Sequence, residues 1–197
     1  MNNPLQSIYI YPTDTVWGIG ARISDKDAHR QINLIKKIDS LKPLSVLFTS
    51  FELLLQKTTL PPRMTDEWLR HFFSQESTII MPNSWMMFDI PPWISPDGKT
   101  TGIRCLDLPL LSQLTNSLPI TTTSLNLTGN PPITSLEEAS RFRSKHVPDA
   151  IFVNIPGLVP SGKASTIVSV DDDGNYAFIR RGRFENDIEK HLRLLTA

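Results

Sequence analysis

The chain has 197 residues, 40% of them hydrophobic and 20% charged, with a formal net charge of zero. That balance fits one globular domain over 1–197 and excludes a bulk electrostatic drive toward nucleic acid, leaving only local basic patches. Cys105 is the one cysteine, so neither an internal disulfide nor a cysteine-pair metal site can form, and a reducing cytoplasm is the expected compartment.

Ser7 to Tyr11 reads as a buried strand stopped by Pro12. Ser24-Asp25-Lys26-Asp27 has capping-box form, with Ala28, Ile32 and Ile35 then falling on one helical face. Leu44 to Phe48 is a second apolar strand, followed by helical segments at 50–55 and 64–73. Strands are expected at 77–81, 101–105 and 119–124, with a helix at 108–116 between the last two. Segment 85–93, broken by Asp89 and two prolines, is too short for the roughly 18 apolar residues of a membrane span, and Met1 to Pro4 lacks a signal-peptide pattern. Ser135-Leu136-Glu137-Glu138 is a capping box for a helix to about Ser144. Strands at 150–154, 166–170 and 176–179 follow, the last two joined by the turn Asp172-Asp173-Gly174-Asn175, and a helix near 186–195 closes the chain. The pattern predicts an α/β fold: a mixed sheet flanked by helices, with ligands bound where loops converge beyond strand ends.

Four segments carry chemistry. Tyr11 to Gly20 leaves a strand with Thr13, Asp14, Thr15 and two glycines, residues able to hold a small polar ligand or merely to connect two elements. Its Gly18-x-Gly20 lacks the third glycine of a dinucleotide fingerprint, since Ile23 stands there. Lys36 to Leu44 places lysines at a helix end, where they suit either the helix dipole or a phosphate. Thr121 to Gly129 is expected to direct Ser124 and Asn126 to one side. Gly162 to Val168, with Arg180, Arg181 and Arg183 after it, supplies a local cationic spot suited to phosphate or to a solvated tail. The four histidines, at 29, 71, 146 and 191, lack metal-ligand spacing.

Taken together, Tyr-Pro-Thr-Asp-Thr-Val-Trp-Gly-Ile-Gly, Lys-Pro-Leu-Ser-Val-Leu, Thr-Gly-Ile-Arg, Thr-Ser-Leu-Asn-Leu-Thr-Gly, Ala-Ser-Thr-Ile-Val and Ile-Arg-Arg-Gly follow one another between Ile8 and Arg183. In kind, order and spacing they resemble the YrdC-like threonylcarbamoyl-AMP synthase family. The resemblance implies a twisted open sheet around a central ligand cavity. It implies a nucleotidyltransferase that makes threonylcarbamoyl-AMP from L-threonine, bicarbonate or carbon dioxide, and ATP, with Mg2+ carried on the phosphates. The product then serves tRNA t6A modification, with t6A-pathway proteins as partners. By position, Thr13, Thr15, Arg104 and Ser165 are implied as threonine-binding groups, and Lys42, Thr100, Ser124, Asn126 and Arg180 as nucleotide-binding groups. Lys36 and Arg104 are the implied catalytic cations, since carbamate attack on the α-phosphate needs proximity and positive charge rather than a protein nucleophile. Three positions depart from the family pattern: Ile38 replaces an arginine, Ser74-Gln75-Glu76 replaces Pro-Gly-Pro, and Trp17 replaces a common tyrosine. Ile38, together with the Arg180, Arg181 and Arg183 cluster, motivates an alternative: a catalytically weakened YrdC-like protein that binds nucleotide or RNA.

Overall fold

The structure is a computed structural model and describes residues 7–38, 43–115 and 118–196. Runs of β-branched and apolar residues form its nine described strands: β1 (Ile8–Pro12), β2 (Trp17–Ala21), β3 (Ser45–Phe48), β4 (Ser77–Pro82), β5 (Thr100–Cys105), β6 (Ile120–Ser124), β7 (Ile151–Phe152), β8 (Thr166–Val170) and β9 (Tyr176–Arg180). They lie side by side in the order β7-β1-β2-β6-β3-β5-β4-β8-β9. Three of the pairings are parallel (β1 with β7, β3 with β5, β4 with β8) and the other five antiparallel, which is the mixed sheet expected.

Among the described residues six α-helices pack on this sheet: α1 (Lys26–Lys36), α2 (Phe51–Lys57), α3 (Asp66–Phe73), α4 (Pro109–Thr115), α5 (Leu136–His146) and α6 (Glu185–Thr196). Their starts follow capping chemistry. At α5 the Glu138 amide donates to Ser135 Oγ at 3.2 Å and the Ser135 hydroxyl lies 3.1 Å from Glu138 Oε2, so the box acts as a unit. At α1 the cap is Asp25 rather than Ser24: its carboxylate accepts from the Ala28 amide at 2.9 Å. Ser50 and Thr65 cap α2 and α3 in the same manner.

Trp68, Phe72 and Phe73 of α3 bury one side of the sheet together with α2 and α6. Ala28 and Ile32 of α1 and Ala139 and Phe142 of α5 pack over β1 and β2. Each fully buried aliphatic side chain in these layers contributes about 1.5–3 kcal/mol of transfer free energy. No helix among the described residues is long and apolar enough to cross a membrane.

The main departure from the sequence reading is β2. The expectation of a loop running through Gly20 is corrected: the turn is confined to Thr13–Val16, and Trp17–Ala21 is a fully buried strand paired with β1. Its glycines serve packing. A Cβ on Gly20 would sit 1.8 Å from the Thr121 carbonyl oxygen of β6, and one on Gly18 would sit 2.9 Å from the Tyr11 ring. The strand expected at 150–154 shortens to Ile151–Phe152.

Candidate active site

Where the β1–β2 turn meets the faces of β4, β5, β6, β8 and β9, a cavity of about 290 Å3 opens. The turn is built by Thr13. Its Oγ1 donates to the Val16 carbonyl at 2.6 Å, accepts from the Thr15 and Val16 amides at 3.2 Å each, and lies 3.0 Å from Thr15 Oγ1. Two hydroxyls are thereby fixed on the cavity wall.

Arg104, projecting from β5, is 9% exposed. Its Nη1 donates to Thr15 Oγ1 at 2.9 Å, and its Nη2 pairs with Asp14 Oδ1 at 2.5 Å. Among the described residues its buried Nε has no hydrogen-bond partner, which leaves one donor of the guanidinium unused. Across the cavity, Arg180 at the end of β9 donates through Nε to the Ser165 carbonyl at 2.8 Å and through Nη2 to Ser165 Oγ at 2.9 Å. Ser165 Oγ in turn lies 3.0 Å from Thr78 Oγ1 on β4. Burial, and after it the charge of Arg104, pull the Arg180 pKa below its ordinary value. A guanidinium starts so high that Arg180 stays cationic. Arg104 and Arg180 therefore share one hydroxyl-lined cavity, the first paired with a carboxylate and the second resting on neutral oxygens.

Of the residues singled out in the sequence, Thr13, Thr15, Arg104, Ser124, Ser165 and Arg180 all line this cavity. Lys36 and Asn126 are not among its lining residues. Lys36, at the end of α1, is 4% exposed. Its Nζ donates to the Ser124 carbonyl, to the Asn126 carbonyl at 3.0 Å and to Asn126 Oδ1 at 2.8 Å. Asn126 Oδ1 also accepts from the Ser124 hydroxyl at 2.7 Å, while its Nδ2 donates to the Asn130 carbonyl at 2.7 Å. The β6 strand ends at Ser124, so the alternation that would place Asn126 beside it stops there. Lys36 and Asn126 instead hold the turn that presents Ser124. Thr100, also expected as a ligand contact, is exposed at the start of β5 and lies off the cavity wall. Lys42 falls outside the described residues.

The three arginines near the end of the chain diverge. Arg180 enters the cavity, Arg181 pairs with Glu185 and Glu189 of α6 and stacks on Phe178, and Arg183 lies 3.4 Å from Glu76. The sequence reading did not single out Thr78, Thr122 or Thr123, which also line the cavity. For Thr78 the available signal was the buried β4 pattern around a hydroxyl.

The model of the Sua5/YciO/YrdC family, described as "Telomere recombination", matches residues 6–182. A Psychrobacter arcticus protein named threonylcarbamoyl-AMP synthase is 30% identical over 69% of this chain and 72% of its own length. A Bacillus subtilis protein of the same name is 30% identical over 84% of this chain, which spans only 47% of that relative. The crystal structure of P. abyssi Sua5 complexed with L-threonine superposes with a TM-score of 0.74 at 24% identity, covering 95% of this chain and 54% of that one, and so speaks for the fold. A match running through the β1–β2 turn and every strand of the sheet has one reading: the chain belongs to the Sua5/YciO/YrdC family.

Proposed function

We propose that the chain is an L-threonylcarbamoyladenylate synthase, converting L-threonine, bicarbonate or carbon dioxide, and ATP into threonylcarbamoyl-AMP and pyrophosphate for tRNA t6A modification in the cytoplasm. The observation that carries the reading is the pairing of Arg104 and Arg180 across one hydroxyl-lined cavity, in a chain whose relatives bear that name.

In this reading the threonine amine takes up carbon dioxide to give a carbamate. A carbamate oxygen then attacks the α-phosphorus of ATP while the bond to pyrophosphate breaks. The protein supplies no nucleophile; it supplies alignment and positive charge. Thr13, Thr15 and Arg104 hold the amino acid, and Ser165 lies at its end of the cavity. Ser124 and Arg180 hold the phosphates, and Lys36 and Asn126 act by fixing the Ser124 turn. Mg2+ enters the reaction with ATP, carried mainly on phosphate oxygens. Ile38 replaces one cation of the family pattern, and Arg180, which no carboxylate pairs among the described residues, carries the uncompensated charge toward the phosphates.

The test is threonine- and bicarbonate-dependent pyrophosphate release from ATP, with the adenylate identified by mass spectrometry. Product that needs both co-substrates is the expected result. A folded sample that binds ATP and threonine yet forms no adenylate would move the chain to the alternative, a ligand-binding member of the family.

A further inference from the structure

Arg104 and Arg180 line the same cavity, yet their surroundings differ in charge. Arg180 rests on the Ser165 carbonyl and hydroxyl, both neutral, and no carboxylate pairs with it among the described residues. Arg104 spends one arm of its fork on a full negative charge, Asp14 Oδ1 at 2.5 Å. The Arg104 end is therefore close to neutral, while the Arg180 end carries an uncompensated positive charge. The Asp14 side chain is only 23% exposed, so water screens it incompletely. Asp14 is not itself on the cavity wall, although Thr13 and Thr15 on either side of it are. It therefore acts through Arg104 and through its field.

We propose that Asp14 is a specificity-determining residue: by cancelling the Arg104 charge it reserves that end of the cavity for the zwitterionic amino acid and turns phosphate chains toward Arg180. An amino acid has no net charge and loses little at a neutral arginine–aspartate pair. Its carboxylate can still take remaining guanidinium N–H groups and the Thr15 hydroxyl. A polyphosphate brought to the same place meets Asp14 at short range and is repelled. Without Asp14 the cavity would carry two uncompensated cations, and a polyanion could settle at either end or bridge both, blocking the amino acid.

The proposal rests on the synthase reading for the identity of the two ligands but not for the charge argument. The variant is Asp14→Asn, which keeps an oxygen to accept from Arg104 while removing the charge. Calorimetric titration with inorganic pyrophosphate is expected to show about ten-fold tighter binding than the unaltered chain, with steeper weakening by added salt. Pyrophosphate should also displace L-threonine from the variant. In the unaltered chain, saturating pyrophosphate should leave threonine affinity within about two-fold.

Unchanged or weaker pyrophosphate binding by a folded variant overturns the proposal, as does displacement of threonine by pyrophosphate from the unaltered chain. The second measurement stands even if the variant fails to fold. Tighter pyrophosphate binding by the variant, with no threonine binding by the unaltered chain, supports Asp14 as the charge-setting residue and sinks the synthase reading instead.

Discussion

Replacing Lys36 by methionine removes an ammonium while keeping a stem of similar length. In the folded chain that ammonium serves the Ser124 carbonyl, the Asn126 carbonyl and Asn126 Oδ1. Asn126 Oδ1 keeps the Ser124 hydroxyl as a donor after the change, but the two backbone carbonyls lose the one supplied by Lys36. An orphaned buried acceptor costs about 1–3 kcal/mol. Relief from burying the charge offsets part of this, so the net loss is about 2–4 kcal/mol. For a domain of this size that lowers the melting temperature by about 4–16 °C.

The same geometry makes a kinetic statement. If Lys36 acts by holding the turn that presents Ser124, then Lys36→Met and Ser124→Ala damage one device, and their effects on ATP affinity fail to multiply. The assay is a double-mutant cycle on the ATP dissociation constant, with thermal melts of all four proteins. A melting temperature within about 2 °C of the unaltered chain, together with fully multiplicative losses in affinity, would refute the reasoning and return Lys36 to direct phosphate contact.

Arg104→Lys offers one ammonium where the fork now engages Thr15 and Asp14, so threonine affinity measured by calorimetry should fall about ten- to hundred-fold; unchanged affinity would remove Arg104 from the amino-acid site. Gly182→Ala places a Cβ 2.8 Å from the Ala164 carbonyl oxygen and the Thr166 nitrogen, both backbone atoms. It should therefore cost about 1–3 kcal/mol, read as a drop of about 2–12 °C in melting temperature. His29 is held between the Asp25 carbonyl and Thr121 Oγ1, and burial pushes its pKa below the ordinary value. The neutral imidazole is therefore the folded form, so this contribution is complete above the unfolded value of about 6.5 and is lost as pH falls toward the lower folded value. Melting temperatures taken from pH 7 to 5 should fall more steeply for the unaltered chain than for His29→Asn, and equal slopes would contradict the assignment.

Much of this architecture was readable before any coordinates. The capping box at Ser135 and Glu138 and the β-branched runs of β6 and β8 specify their structure through neighbours a few residues away. Residue type alone left ligand and structural readings open; the family resemblance singled out Thr13, Thr15, Arg104, Ser124, Ser165 and Arg180, and these line one cavity. The failures have a common physical origin. Gly18 and Gly20 suggested a ligand loop, and only the folded sheet reveals why side chains are forbidden there: the Tyr11 ring of β1 fills the space at Gly18 and the Thr121 carbonyl of β6 the space at Gly20. The chemistry expected of Lys36 depended on oxygens far along the chain at Ser124 and Asn126. Arg180, Arg181 and Arg183 read as one basic spot until the end of β9 and the start of α6 aimed them at different partners.

The cavity wall draws its first side chain from Thr13 and its last from Arg180. The strands that support it are joined by pairings as distant as Gly18 with Ser124 and Ser77 with Thr166. Contacts of such long sequence separation form late, because each must first overcome the entropy of closing a large loop. No fragment lacking β9 can display both guanidiniums, so a nascent chain gains its ligand only after β9 has been made. Any molecule that bridges Arg104 and Arg180 therefore acts as a selective stabiliser of the finished fold, and its binding doubles as a report that folding is complete.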